Sequence, residues 1–68
     1  MQTVGYDKWL DLKIVWDQSN KFDVLYQRYS DEWIVVDSFI TKTQLEPAMA
    51  ITVANTYLEN AEKEMTAA

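Results

Sequence analysis

The side chains this sequence offers for chemistry are carboxylates. It has eleven Asp and Glu, no Cys, no His and a single Gly. Without His, the commonest general base near neutral pH is missing, and a Ser or Thr nucleophile lacks its usual proton acceptor. Without Cys there is neither a disulfide nor a thiolate metal site. One Gly cannot build a Gly-rich phosphate loop. Any metal would have to be held by carboxylates alone. Asp31 and Glu32 are adjacent and read as a turn, while Glu59, Glu62 and Glu64 surround Lys63 late in a helical stretch and read as a solvated face. Neither group has the alternating acidic pattern with Gly that binds calcium. A pair of carboxylates could do acid–base work in a pocket, but one small sheet with one helix offers little concavity. The chain therefore reads as a binding protein and not an enzyme, with no cofactor and no metal.

Sixty-eight residues make one small domain, spanning 1–68. A domain of this size buries only about 60% of the surface its unfolded chain exposes. With disulfide and metal ruled out, oligomerisation or a partner is the reinforcement left open. Apolar residues make up 49% of the chain and aromatics 13%, which marks a folded chain and not a disordered one. The net charge of −5 repels nucleic acid and anionic membrane and suits a basic protein surface. The N-terminal residues lack the basic and apolar regions of a signal peptide, and no apolar run exceeds four residues, as in Trp33 to Val36. These features place the protein in the cytoplasm, that of the host if a phage encodes it.

The elements that would position the carboxylates follow from periodicity. Residues 1–8 have none and read as a lead-in with a bend at Gly5. Residues 9–17 alternate in the period-two manner of a half-buried strand, with Leu10, Leu12, Ile14 and Trp16 on one face. A second strand, 22–29, follows the turn formers Gln18-Ser19-Asn20, and Trp16 opposite Phe22 pairs Ile14 with Val24 and Leu12 with Tyr26. A third strand, 33–40, is set by pairing Tyr29 with Trp33, which places Tyr26 opposite Val36 and Leu25 opposite Asp37. The alternative register would bring Asp37 beside Val24 in the core. Thr43 with Glu46 has the spacing of a capping box, and Pro47 suits a first turn, so a helix is expected over 44–64. Its stripe is Ala50, Ile51, Ala54, Tyr57, Leu58, Ala61 and Met65. The fold class is α+β: a three-stranded antiparallel meander with one C-terminal helix on one face.

In this arrangement the helix covers the even-numbered face, and the odd-numbered face is left over. It would carry Trp9, Val15, Leu25, Tyr29, Trp33, Val35 and Phe39, with Asp11, Asp17, Asp23, Asp31, Glu32 and Asp37 among them or in the loops beside them. A contiguous apolar patch rimmed by polar residues marks an interaction surface, and Trp and Tyr are enriched at binding hot spots. Three coverings are open: the N-terminal eight residues, a second copy stacking the same face, or another protein.

The strand–strand–strand–helix order resembles the latter part of a double-stranded-RNA-binding domain, but such a domain needs basic residues on loop and helix, and this chain is acidic. In size, charge and architecture the chain resembles the small inhibitors carried by bacteriophages and other mobile elements, such as anti-CRISPR proteins and DNA-mimic anti-restriction proteins. The resemblance implies a protein partner with a basic, nucleic-acid-handling surface. Asp and Glu would stand in for phosphates, Trp9, Tyr29 and Trp33 would serve as apolar anchors, and the chain would bind neither nucleic acid nor membrane. The alternative is a homodimeric assembly protein built on the aromatic sheet face.

Overall fold

The structure, a computed structural model, describes residues 1–27 and 31–66. The chain folds as a four-stranded antiparallel meander followed by one helix: β1 (Gln2–Asp7), β2 (Leu12–Trp16), β3 (Lys21–Gln27), β4 (Trp33–Ile40) and α1 (Pro47–Thr66). The α+β class and the C-terminal helix on an antiparallel sheet are as expected. The sheet has four strands and not three, because the supposed lead-in is β1.

β1 escaped the period-two reading because it is irregular. Thr3 pairs with Val15 and Gly5 with Ile14, so Val4 is an extra residue in a bulge. An extra residue breaks strict alternation. Val4 is buried in the core, and Gly5 comes to lie on the inner face directly beneath the helix. A Cβ on Gly5 would stand 3.1 Å from Ala54 Cβ and 3.1 Å from Leu58 Cδ1. The sole glycine therefore serves close helix–strand approach, not a bend.

β2 and β3 pair as expected, with Trp16 opposite Phe22, Ile14 opposite Val24 and Leu12 opposite Tyr26. β4 has the expected bounds but a different register. Leu25 pairs with Val35 and Tyr26 with Ile34, whereas Val24 pairs with Asp37 and Phe22 with Phe39. Val36 is the unmatched residue of a second bulge, closed by the Ser38 N–H donating to Asp37 Oδ1 at 2.9 Å. Trp33 pairs with Gln27, so the expected Tyr29–Trp33 pairing does not form.

α1 starts at Pro47, three residues later than expected. Glu46 supplies the first helical acceptor, its carbonyl taking the Ala50 N–H at 3.0 Å, and Pro47 loses nothing at a position whose N–H has no helical partner. Thr43 takes no part in this; its carbonyl accepts the Thr41 hydroxyl. The Ala-rich stripe buries Ala50, Ala54 and Leu58 against Val4, Ile14, Trp16, Phe22 and Val24. Tyr57 and Ala61 are half-buried, while Ile51 and Met65 at the margins of the expected stripe are exposed. An aromatic stack crosses the core: Trp16 to Phe22 (6.4 Å between centroids), Phe22 to Phe39 (4.9 Å) and Phe39 to Tyr57 (5.5 Å). No described helix is long and apolar enough to cross a membrane.

Candidate protein-binding surface

The bulge at Val36 redistributes the residues expected on the outer face. From Asp37 onward, β4 is turned over relative to strict alternation, so Asp37 shares the inner face with Val24, and Phe39 shares it with Phe22. Phe39 is thus a core residue sandwiched between Phe22 and Tyr57. Asp37 is the register that seemed prohibitive, a carboxylate beside Val24. It stands on the edge strand farthest from the helix axis, exposed, and accepts the Tyr57 hydroxyl at 2.8 Å. Burial, then the hydrogen bond to Asp37 and its negative charge, push the Tyr57 phenol up to about 12, so it remains a donor at neutral pH. Neither Asp37 nor Phe39 belongs to an outer binding face.

The outer face that remains carries Thr3, Tyr6, Lys13, Val15, Asp23, Leu25, Trp33 and Val35. It is partly closed by its own side chains. Tyr6 of β1 meets Trp33 of β4 edge to face at 6.4 Å and 70°. On a flat sheet those strands would stand about 14 Å apart, so the two rings lean inward over the strands between. Lys13 Nζ lies 4.3 Å from the centroid of the Trp33 ring, a cation–π contact. Leu25 and Asp23 are half-buried and Val35 is exposed. The N-terminal residues therefore cover this face in part, by adding a strand and by lending Tyr6.

Trp9 is not on the sheet. It sits in the β1–β2 turn and is 89% exposed. The turn is nevertheless fixed. Asp7 Oδ1 accepts the backbone N–H of Trp9 at 2.9 Å and of Leu10 at 3.2 Å, Asp11 closes the turn in the left-handed region (φ 54°), and the Asp11 carbonyl accepts the Gln27 N–H at 2.9 Å. Asp7 is itself buried, and its carboxyl is paired by a hydrogen bond with that of Glu62 on α1. That hydrogen bond, with those from Leu10 and Trp9, holds the Asp7 carboxyl below its ordinary value against the opposing effect of burial. Glu62 is displaced upward by the same bond, by the Asp7 charge, by desolvation and by Glu59. The two carboxyls are thus shifted in opposite directions by their contact between the turn and the helix.

Beside this turn lies an apolar cleft of about 360 Å³ between the C-terminal half of α1 and the ends of β2 and β3, lined by Leu10, Leu12, Tyr26, Ala61, Glu64 and Met65. It continues past Leu10 and Met65 to Trp9 and Glu62. Leu10, Tyr26 and Met65 were not anticipated as surface residues, since alternation and helical periodicity both assigned them to a core. The available signal was positional: Tyr26 and Met65 stand next to the last residue of their elements and Leu10 in a turn, where the covering layer runs out.

The remaining carboxylates fall into two kinds. Asp17 is spent on its own loop, accepting the Ser19 N–H at 2.8 Å, the Ser19 hydroxyl and the Lys21 N–H, and it is lowered by those bonds in that order of backbone donors. Asp11, Asp31 and Glu32 are exposed at turns, with Gln27 Nε2 donating to Asp31 Oδ1 at 3.3 Å. Tyr29 lies outside the described residues. Of the expected site, the structure brings Leu25, Trp33, Val35 and Asp23 onto one face and places Trp9 and Asp11 together at the end of the molecule. Among the described residues, no group of three carboxylates gathers closely enough to hold a metal ion. In comparison with known families, curated proteins and solved structures, the chain matches no family model, no curated protein and no solved structure.

Proposed function

We propose that this chain is a small acidic protein-binding module that acts by occupying a surface, and that its partner is a basic, nucleic-acid-handling protein of the kind that inhibitors from phages and mobile elements block. The observation that carries the reading is Trp9: a large aromatic side chain left almost wholly in water on a turn fixed by two backbone hydrogen bonds. A rigid turn loses little entropy on binding, and Trp is among the residue types most enriched at hot spots. The apolar cleft behind it supplies contact area, and Asp11 and Glu64 around it, on a chain of net charge −5, favour a cationic partner. Asp31 and Glu32 extend the exposed carboxylates at the β4 entry.

The test is capture from host lysate by the immobilised chain, comparing wild type with Trp9→Ala and with Asp11→Lys/Glu64→Lys. The reading expects a basic nucleic-acid-binding protein that wild type retains, that both variants lose, and that high salt releases. Added chain should also displace nucleic acid from that protein. A bound set that is indifferent to all three substitutions overturns it.

A further inference from the structure

We infer that β4 pairs with β4 of a second copy of this chain, antiparallel, about a two-fold axis between Val36 and Asp37. The sheet order β1-β2-β3-β4 leaves β4 at an edge, eight residues long, with no Pro or Lys and one charged residue, Asp37. Edges of this length are usually blunted by charge, Pro or a covering element. β4 instead exposes apolar side chains: Val35 is 59% exposed, Val36 51% and Ile40 71%.

The occupant is specified by the pattern of faces. Opposed residues in an antiparallel pair share a face, so a strand can pair with its own copy only if its face pattern reads the same in both directions. In a regular strand of eight, the first and last residues point to opposite sides, and self-pairing across the full length fails. The bulge reverses this. Trp33 and Val35 are outer and Ile34 inner; beyond Val36, Asp37 and Phe39 are inner and Ser38 and Ile40 outer. Read backward from Ile40, the sequence of faces is the same. The axis then sets Trp33 against Ile40 of the other copy, Val35 against Ser38, Ile34 against Phe39 and Val36 against Asp37. Ile40, the most exposed of the apolar side chains named above, is placed opposite Trp33. Asp37 meets an apolar residue, with its carboxylate turned to the Tyr57 hydroxyl.

Strand pairing alone buries less than the roughly 1,200–2,000 Å² of a stable interface, so the dimer is weak and reversible. The proposal is independent of the Trp9 surface, which lies on a turn and not on this edge. Sedimentation equilibrium of the full chain up to about 0.5 mM should show a monomer–dimer equilibrium, abolished by Ile40→Lys and unaffected by Trp9→Ala. Register is tested by the Val35→Cys/Ser38→Cys double variant. The native chain has no cysteine, and cross-strand neighbours lie within about 5.5 Å, inside disulfide range. Air oxidation should give a covalent dimer, and Thr3→Cys, on the other edge, should not. A chain that stays monomeric throughout that range overturns the proposal. So does a dimer that survives Ile40→Lys or that fails to cross-link through positions 35 and 38.

Discussion

The two ends of the sheet are built on the same local device and come to opposite results. At one end Asp17 Oδ1 accepts the backbone N–H of Ser19 and Lys21, with Gln18 left-handed at φ 71°. At the other, Asp7 Oδ1 accepts those of Trp9 and Leu10, with Asp11 left-handed. Each end has a tryptophan. Trp16 is buried and its indole donates to the Ser19 carbonyl at 3.3 Å; Trp9 stands in solvent. What differs is whether the chain returns. At the Asp17 end it does: Thr41 N–H donates to the Asn20 carbonyl, the Asn20 side chain to the Thr41 carbonyl, and Leu45 N–H to the Ser19 carbonyl. At the Trp9 end Gln27 is tied to Asp11 and Asp7 to Glu62 of α1, below the turn and not across Trp9. A capped turn is fixed by its own carboxylate, but a side chain on it is buried only when a second stretch of chain passes over it.

The strongest way to break the contrast is Trp16→Ala. It should cost about 4 kcal/mol, from lost burial plus the cavity left in the aromatic stack, read as a collapse of the urea midpoint. Gly5→Val should cost roughly 2–3 kcal/mol. Leu58 can rotate away from a new side chain, but Ala54 Cβ is fixed to the helix backbone, so the helix itself must lift. Asp17→Ala should lower the melting temperature by less than either, since water can reach the released N–H groups of an exposed loop. Trp9→Ala should leave the melting temperature within experimental error, because surface substitutions away from special features stay within about 0.5 kcal/mol, while removing the proposed partner binding.

Acid sharpens the comparison further. Asp7 and Asp17 are held below 3.8, so their contribution is present above that value and is lost as pH falls through their depressed pKa values. Glu62 is raised above 4.5, so its contribution is present below 4.5 and is lost as pH rises through its raised pKa. Glu62→Gln, which keeps a donor to Asp7 at every pH, should flatten the melting temperature on the alkaline side of that window and leave the acid limb in place.

Much of this was legible in the residues. Leu12, Ile14 and Trp16 against Tyr26, Val24 and Phe22 form a regular ladder in which alternation fixes register. The Ala stripe of α1 likewise announced close packing on the sheet. Two of the failures share a cause. Both bulges, at Val4 and Val36, insert a residue that alternation does not allow for, so β1 looked patternless and Asp37 and Phe39 were sent to the wrong face. The run Trp33 to Val36, four apolar residues where every second one should be polar, was the visible trace of the second bulge. Trp9 was misplaced because it continued an alternating series past the point where Asp11 turns the chain. The Tyr57–Asp37 bond that makes the inward carboxylate tolerable joins residues twenty positions apart, a separation that no local pattern reports.

Val36 can also be considered at the level of the codon. It is the one residue of β4 that no position of β3 requires, and deleting it would leave Trp33 through Val35 and Asp37 through Ile40 on the faces they now occupy. An in-frame loss there should give a folded protein with a straighter edge. The shortened strand would still read the same in both directions, but its midpoint would be Asp37, and each copy would meet its own carboxylate across the axis. Like charges directly opposite repel. In the proposed dimer the extra residue is a spacer that keeps two identical charges out of register, and its removal would separate the capacity to fold from the proposed capacity to pair.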